Sequence, residues 1–288
     1  MLGANVMWGL MSPVAKTVLT AGVIGPFILT DMRIWGAAVL FWLLSFAMPR
    51  EHVGAVDLLR LAGAGMLGIV FNQGCFIFGV SLTSPGEASI VTTTMPLWVM
   101  LLAAVILKEP ITARKVGGIV LGASGALLLV LGGSSVSGKG SNPVAGDLLV
   151  LTAQFSYALY LTLYKNFIRR YSLATLMKWM FTFAALATTV FSFRDIVATD
   201  WSALSPWHWG GVVYVVVCGT FLAYICVMVG QKNLRPTIVG MYNYVQPIVA
   251  SVVGVYLGLD VFTPQKVVAV LLIFGGVWLV TISRARHS

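Results

Sequence analysis

The sequence contains 288 residues, of which 59% are hydrophobic and only 9% are charged, and its mean hydropathy is +0.94. An ordinary soluble domain carries about a quarter charged residues, so this chain has too few charges to cover its surface in water. The composition therefore excludes a soluble enzyme, a disordered linker and a nucleic-acid-binding domain, although the formal net charge is +9. We expect a polytopic membrane protein.

Ten stretches of the chain contain no Asp, Glu, Lys or Arg, and we interpret each as the centre of one membrane-spanning helix. A spanning helix needs about 20 mostly apolar residues, and the shorter stretches reach this length when a flanking charged side chain extends toward the lipid headgroups. Strands are disfavoured because alternation with period two is absent. In chain order the stretches are 1–15, 34–49, 61–86, 88–107, 116–138, 148–164, 179–193, 201–231, 236–259 and 267–283.

The loops between these stretches alternate in their content of Lys and Arg. One side carries thirteen such residues and the other carries three, while Lys16 and Arg33 fall within helices near the second side. Because cytoplasmic loops are enriched in Lys and Arg, we expect both termini on the cytoplasmic side. The membrane that we expect is a bacterial inner (cytoplasmic) membrane. The thirteen are Arg50, Arg60, Lys108, Arg114, Lys115, Lys165, Arg169, Arg170, Lys178, Lys232, Arg235, Arg284 and Arg286, and the three are Lys139, Arg194 and Lys266.

The two halves of the chain resemble each other when one is shifted by 151 residues along the other. We predict two repeats, residues 1–138 and 139–288, with five spans each. Because five is odd, the second repeat enters the membrane from the opposite side, and inverted repeats of this kind build many secondary transporters. The shift aligns Gly68 with Gly219, Cys75 with Cys226, Pro96 with Pro247 and Lys115 with Lys266.

Three further features of the sequence carry a family resemblance. These are the segment GTFLAY at 219–224, a mid-helix proline in each half, and the acidic residues Glu109 and Asp260 that close helices four and nine. On these features the chain resembles the drug/metabolite transporter superfamily, in its EamA-type ten-helix exporter branch. The resemblance implies a fold of five plus five helices, a central cavity lined by helices 1, 3, 4, 6, 8 and 9, and export of small metabolites or amino acids. The sequence departs from the pattern at Val261, where the first half has Pro110.

The mid-helix prolines identify a place where chemistry can occur. Proline removes a backbone donor and kinks its helix, and polar residues precede each kink: threonines that include Thr93 in the first half, and Tyr242, Asn243 and Gln246 in the second. The threonines either bond their own helix or contact solute, whereas unpaired amides are costly in lipid and favour a cavity. The predicted hinge residues are Pro96 and Pro247.

Amide and aromatic residues at mid-depth in other helices complete the predicted cavity. Tyrosine and tryptophan also gather at membrane interfaces, but the repeat places Trp8, Tyr157 and Tyr224 deeper than that, and Trp98 fits either interpretation. Such a lining suits an amphipathic, weakly charged solute such as an amino acid. The predicted solute-binding residues are Asn5, Trp8, Asn72, Gln73, Thr93, Trp98, Gln154, Tyr157, Tyr224, Tyr242, Asn243 and Gln246.

Few charged residues fall inside the predicted spans. Glu87 follows residues 84–86 at the start of helix four, where a carboxylate stabilises a helix N-terminus. An ionisable residue in a span is also a functional hypothesis, so Glu87 is a candidate for proton coupling. We interpret Asp31 and Arg33 as a local pair at the start of helix two, and Lys16 as a side chain that reaches toward the headgroups.

Sequence motifs for catalysis or cofactor binding are missing from the chain. Residues 133–140 resemble a phosphate-binding loop, but no Ser or Thr follows Lys139 and the segment does not join a strand to a helix. We therefore expect no enzyme, no ATP-driven pump, no cofactor and no metal.

The prediction is a monomeric secondary transporter for a small-molecule solute in a lipid bilayer, with no nucleic-acid partner. A membrane channel, a non-transporting scaffold and a membrane-embedded lipid-modifying enzyme remain as alternatives. Glycines in helices five and ten, including Gly118, Gly122 and Gly276, predict a close-packed scaffold.

Overall fold

A computed structural model of the chain describes residues 2–106, 108, 112–132, 141–164, 167, 170–233, 245–261 and 263–282. Within these ranges the regular elements are all helices. Predicted features at Glu109, Tyr242, Asn243 and the segment 133–140 lie outside the described residues.

The helices are numbered along the chain. The first half contains α1 (Leu2–Thr20), α2 (Pro26–Phe46), α3 (Ala55–Leu82), α4 (Pro85–Ile106) and α5 (Ala113–Gly132). The second half contains α6 (Pro143–Leu163), α7 (Leu173–Ala198), α8 (Pro206–Val216, continued through Val217–Leu222 and Ala223–Asn233), α9 (Val245–Tyr256) and α10 (Pro264–Ile282). Among the described helices, α2, α3, α4, α6, α7 and α8 are long and apolar enough to cross a membrane.

Local capping explains where several helices begin. Proline occupies the first turn of α2, α4 and α6, where its fixed φ suits a helix and its missing N–H costs nothing. Ser84 accepts a hydrogen bond from the Glu87 backbone N–H at 3.2 Å, and Asn142 accepts one from Ala145 at the same distance. Because α2 begins at Pro26, Arg33 lies well inside the helix rather than at its start.

Two short π-helical segments widen the backbone at matching places. They are Met66–Phe71 within α3 and Val217–Leu222 within α8, and they are separated by 151 residues. A π-helical turn disturbs the regular backbone hydrogen bonds, so its carbonyl groups need other donors. Ser156 donates to a carbonyl oxygen of the first segment at 2.7 Å, and Trp8 Nε1 donates to one of the second at 3.1 Å. The sequence analysis did not predict these segments.

Helix α2 packs along α7, and the two helices run in opposite directions. Trp35 Nε1 donates to Thr189 Oγ1 at 2.7 Å, and Trp42 Nε1 donates to Thr182 Oγ1 at 2.9 Å. Advancing along α2 therefore means retreating along α7, which is the definition of an antiparallel pair.

Helices α5 and α10 pack closely against each other through their glycines. A Cβ atom on Gly276 would lie 2.5 Å from the carbonyl oxygen of Gly118, and one on Gly125 would lie 2.8 Å from that of Ala269. Only glycine permits so close a backbone approach. These contacts also make the pair antiparallel, and they agree with the close packing that the glycines predicted, while the scaffold role stays a prediction.

The remaining helices surround a central space. Helix α1 packs against α8 and α9, and α6 packs against α3 and α4. Buried apolar side chains such as Phe41 and Phe181, whose rings stack at 5.5 Å, fill the contacts between helices. Large apolar side chains such as Leu59, Val190 and Phe191 cover the outer surface, which suits lipid rather than water.

Candidate solute-binding cavity

A cavity of about 160 Å³ lies between the two halves of the chain. Side chains from α1, α3, α4, α6, α8 and α9 line it, as the family resemblance implies, and one side chain of α2 joins them. The lining residues are Trp8, Met11, Ser12, Arg33, Asn72, Phe76, Ser89, Thr92, Met95, Gln154, Tyr157, Tyr224, Val227 and Gln246.

Amide side chains form one part of the wall. Gln246 Nε2 donates to Asn5 Oδ1 at 2.7 Å, so the fully buried Asn5 supports Gln246 from behind. Asn72 donates to the Ala153 carbonyl oxygen at 2.9 Å. The lining amides Gln246 and Asn72 carry more donors and acceptors than these bonds use, so the wall can offer polar groups to a solute.

Aromatic rings form a second part of the wall. Trp8 and Tyr224 meet edge to face with their centroids 6.2 Å apart, and Tyr157 packs against Tyr160 at 5.7 Å. Gln73 Nε2 lies 3.5 Å from the Tyr224 hydroxyl, so this predicted residue contacts the wall from outside the cavity. Together these rings present an apolar surface beside the amides.

Arg33 is the charged residue of the cavity wall. Its side chain is buried, and Nε donates to Thr220 Oγ1 at 2.6 Å. The predicted pairing with Asp31 is wrong, because the two side chains leave α2 toward different helices. Asp31 accepts hydrogen bonds from the hydroxyl groups of Thr188 and Thr189 on α7 at 2.6 and 3.2 Å.

Two predicted residues on α4 lie away from the lining. Thr93 Oγ1 donates to the Ile90 carbonyl oxygen at 2.6 Å, which is the backbone-bonding alternative for the threonines. The Trp98 ring packs edge to face on Phe155 with centroids 5.4 Å apart. The neighbouring Thr92 lines the cavity instead.

The two prolines lie in α4 and α9. Helix α4 consists of two helical pieces, Pro85–Thr92 and Met95–Ile106, and Pro96 follows shortly after the interruption. In the described part of α9, Pro247 is buried and directly follows Gln246. The hinge role of both residues stays a prediction.

A buried cluster of charged side chains lies at the start of α4, apart from the cavity lining. Lys266 of α10 pairs with Glu87 at 3.2 Å and also with Asp260. Thr83 Oγ1 lies 2.8 Å from both Glu87 Oε2 and Asp147 Oδ1. We call Thr83, Glu87, Asp147, Asp260 and Lys266 the carboxylate cluster.

Lys16 adjoins this cluster. The prediction that its side chain reaches toward the headgroups is wrong. The side chain is buried, and Nζ donates to the carbonyl oxygens of Ser81 and Thr83 at 2.7 and 3.0 Å. These carbonyl groups lie at the C-terminal end of α3, where a cation is favourable. Lys16 therefore satisfies the end of a helix and is not available to a solute.

Comparison with known proteins places the chain in a family. The family model of the EamA-like transporter family matches residues 1–131 and, a second time, residues 144–282. The chain belongs to the EamA-like transporter family. It is accordingly a multi-pass membrane transporter and not an enzyme.

Individual relatives agree with this assignment. The chain is 25% identical over 280 residues to the Bacillus subtilis (strain 168) protein called uncharacterized transporter YyaM, covering 96% of this chain and 90% of the relative. It is 23% identical over 269 residues to a WAT1-related protein of Arabidopsis thaliana, covering 85% and 71%. A solved crystal structure superposes with a TM-score of 0.62 at 19% identity, covering 96% of this chain and 94% of that one, and shows a shared fold.

The sequence analysis missed several residues of the cavity wall. Ser12 and Ser89 face each other across α1 and α4 with their hydroxyl oxygens 3.1 Å apart. Met11 and Met95 add flexible apolar surface. Small hydroxyl and thioether side chains carry no distinctive signal in an apolar helix, but Arg33 did carry one, because a charge inside a span is costly.

Proposed function

We propose that this EamA-like transporter is a monomeric secondary transporter that exports a small amphipathic solute, such as an amino acid, by alternating access. The observation that carries the proposal is the cavity itself, where amide groups and aromatic faces from both family matches meet between the halves of one chain. A mostly apolar pocket with a few convergent polar groups is the usual form of a small-molecule site.

Alternating access requires two halves that can exchange conformations, and three observations support an inverted repeat of ten spans. The π-helical segments keep the offset of 151 residues that aligns the halves. The paired helices α2 and α7 occupy equivalent positions in the repeats and run antiparallel, and so do α5 and α10. Equivalent helices with opposite directions are what an inverted repeat demands.

The charge distribution supports an orientation in a bacterial inner membrane with both termini in the cytoplasm. In that orientation the start of α4 faces the outside, and the carboxylate cluster closes the outer end of the bundle. The interruption before Pro96 and the proline of α9 then allow α4 and α9 to move apart and open that end. The direction of transport rests on the resemblance to exporters.

The cluster also supports proton coupling, through a pair of carboxyl groups rather than Glu87 alone. The single hydroxyl hydrogen of Thr83 can serve only one of the two carboxyl oxygens that lie 2.8 Å from it, so the other contact needs a proton on a carboxyl group. Glu87 pairs with Lys266, while Asp147 Oδ2 is buried without a hydrogen-bond partner in the described part of the chain. A neutral carboxyl costs far less to bury than a charged one, which favours Asp147 as the proton carrier. The nearest described charged group is Glu87, which shares the Thr83 hydroxyl group with Asp147 and pairs with Lys266.

Counterflow in liposomes tests the transport proposal. Purified protein is reconstituted with unlabelled L-leucine or L-phenylalanine inside, and uptake of the labelled amino acid is measured. A carrier is accelerated by internal solute, whereas a channel is not. Gln246→Ala should raise the half-saturating concentration roughly tenfold, because a solute loses one hydrogen bond of about 1–1.5 kcal/mol.

Tyr256→Ala is the matched control, since Tyr256 lies at the end of the same helix and is 88% exposed on the outer surface. It should leave the half-saturating concentration unchanged. Normal kinetics in Gln246→Ala would contradict the cavity assignment. Absence of any internal acceleration for amino acids would contradict the proposed solute class.

A further inference from the structure

The guanidinium group of Arg33 is a buried cation without a counter-ion among the residues that the structure describes. Only 4% of the residue is exposed, and Nη1 is buried with no hydrogen-bond partner in the described ranges. Its one described partner, Thr220, donates its own hydroxyl hydrogen to the Val215 carbonyl oxygen at 2.9 Å. Thr220 can therefore accept from Arg33 but cannot neutralise it.

The acidic residues of the described chain are occupied elsewhere. Asp31 bonds threonines of α7, and Glu51 bonds Ser172 outside the bundle. Described ion pairs of acidic side chains involve Arg60 and Lys266, and none of them involves Arg33. Burying a charge without a partner costs free energy. An anion that enters the cavity and pairs with Arg33 would remove part of that cost.

We propose that Arg33 binds a carboxylate group of the transported solute, an inference that rests on the proposed function and names its substrate class. A guanidinium group presents parallel N–H donors that match the two oxygens of a carboxylate. Among the described residues that line the cavity, Arg33 is the one cation, and the nearby Lys16 is held by the end of α3. One cation suits a monoanion such as a carboxylate and leaves a phosphate dianion half compensated.

The rest of the cavity fits the body of such a solute. Trp8, Tyr224 and Phe76 supply apolar faces in the same cavity as Arg33, and Gln154 and Gln246 supply amide groups for a second polar group. The solute class is therefore a small monocarboxylate with an apolar or aromatic side group and one further hydrogen-bonding group.

Binding of a matched probe pair to the purified full chain tests this inference. Phenylacetate and phenylacetamide have the same ring and nearly the same shape, but only the first carries a carboxylate. By isothermal titration, phenylacetate should bind the unsubstituted protein at least about tenfold more tightly than phenylacetamide, as expected for hydrogen bonds to a charged group. Inorganic phosphate should bind more weakly than phenylacetate.

Substitutions assign the preference to Arg33. Arg33→Gln should abolish the preference for phenylacetate. Arg33→Lys keeps the charge but loses the parallel N–H donors of the guanidinium group, so it should reduce the preference without abolishing it. Arg60→Gln removes an exposed arginine and should leave it intact. If Arg33→Gln does not fold, the reduced preference in Arg33→Lys decides the question.

The inference is overturned if the two probes bind alike, if the preference survives unchanged in Arg33→Gln or Arg33→Lys, or if phosphate binds more tightly than phenylacetate. Its failure can be told from failure of the transport proposal. Amino-acid counterflow that persists in Arg33→Gln, together with equal probe binding, removes the carboxylate assignment alone. Arg33-dependent probe binding without any counterflow removes transport and keeps the binding site.

Discussion

Charged side chains are buried in two regions of this transporter, and the two regions treat them differently. In the carboxylate cluster, Lys266 pairs with Glu87 and Asp260, and the third carboxyl group, Asp147, shares the Thr83 hydroxyl group with Glu87. In the cavity wall, Arg33 has one hydroxyl acceptor and no ion pair within the described residues. The ion pairs of the cluster join α10 to α4, whereas the charge of Arg33 is the one that we propose binds a solute.

Removal of the cluster's cation should have the largest effect on stability. Lys266→Met leaves two carboxyl groups buried without their counter-ion, which should lower the free energy of unfolding by about 3–5 kcal/mol. Titration with SDS, followed by tryptophan fluorescence, measures the change. Arg60→Met, which breaks an exposed pair with Asp57, is the control and should have no measurable effect. Equal losses in the two variants would mean that the cluster does not stabilise the closed bundle.

Neutralisation of Asp147 should have an intermediate effect, visible in coupling rather than in folding. With one proton exchanged per solute, a pH gradient of one unit supports up to about tenfold accumulation, or about 1.4 kcal/mol. Asp147→Asn keeps a donor toward Thr83 but carries no exchangeable proton. Liposomes with an acidic interior and a clamped membrane potential should lose accumulation in this variant while counterflow continues. Gradient-driven accumulation that persists in Asp147→Asn would rule out Asp147 as the carrier.

Removal of the unpaired cation should have the smallest effect on stability. Arg33→Met deletes a buried charge that has no counter-ion in the described part of the chain, so the stability of the solute-free protein should change by less than about 1 kcal/mol or increase. The same SDS titration provides the measurement. A loss as large as that of Lys266→Met would mean that Arg33 is compensated in the folded protein, and the contrast between the two regions would disappear.

The sequence predicted features that depend on local composition. Glycines at helical spacing in α5 and α10 predicted close packing, and the contact between Gly118 and Gly276 follows from their missing side chains. The apolar stretches likewise predicted helices, because their composition leaves the backbone no other way to satisfy its hydrogen bonds in lipid.

Arg33 was misplaced because charged residues were treated as marks of helix ends. Under that rule, the predicted second stretch starts after Arg33. The observed helix begins at Pro26, and a proline at the first helical position is itself a helix-start signal. The partners of Glu87 could not be predicted for a different reason. Asp147 and Lys266 come from helices far away in the chain, and only the packing of α4 against α6 and the approach of α10 bring them together.

The wide turns in α3 and α8 have a consequence for how the protein changes shape. Successive residues of an α-helix are rotated by about 100° around its axis. If a π-helical turn tightens to an α-helical one, or shifts by a residue, the adjoining part of the helix must rotate by a comparable angle without unfolding. Asn72 immediately follows Met66–Phe71, and Tyr224 closely follows Val217–Leu222. Rotation of either helix about its axis would thus change which side chains face a solute in the cavity. No segment would have to unfold inside the bilayer.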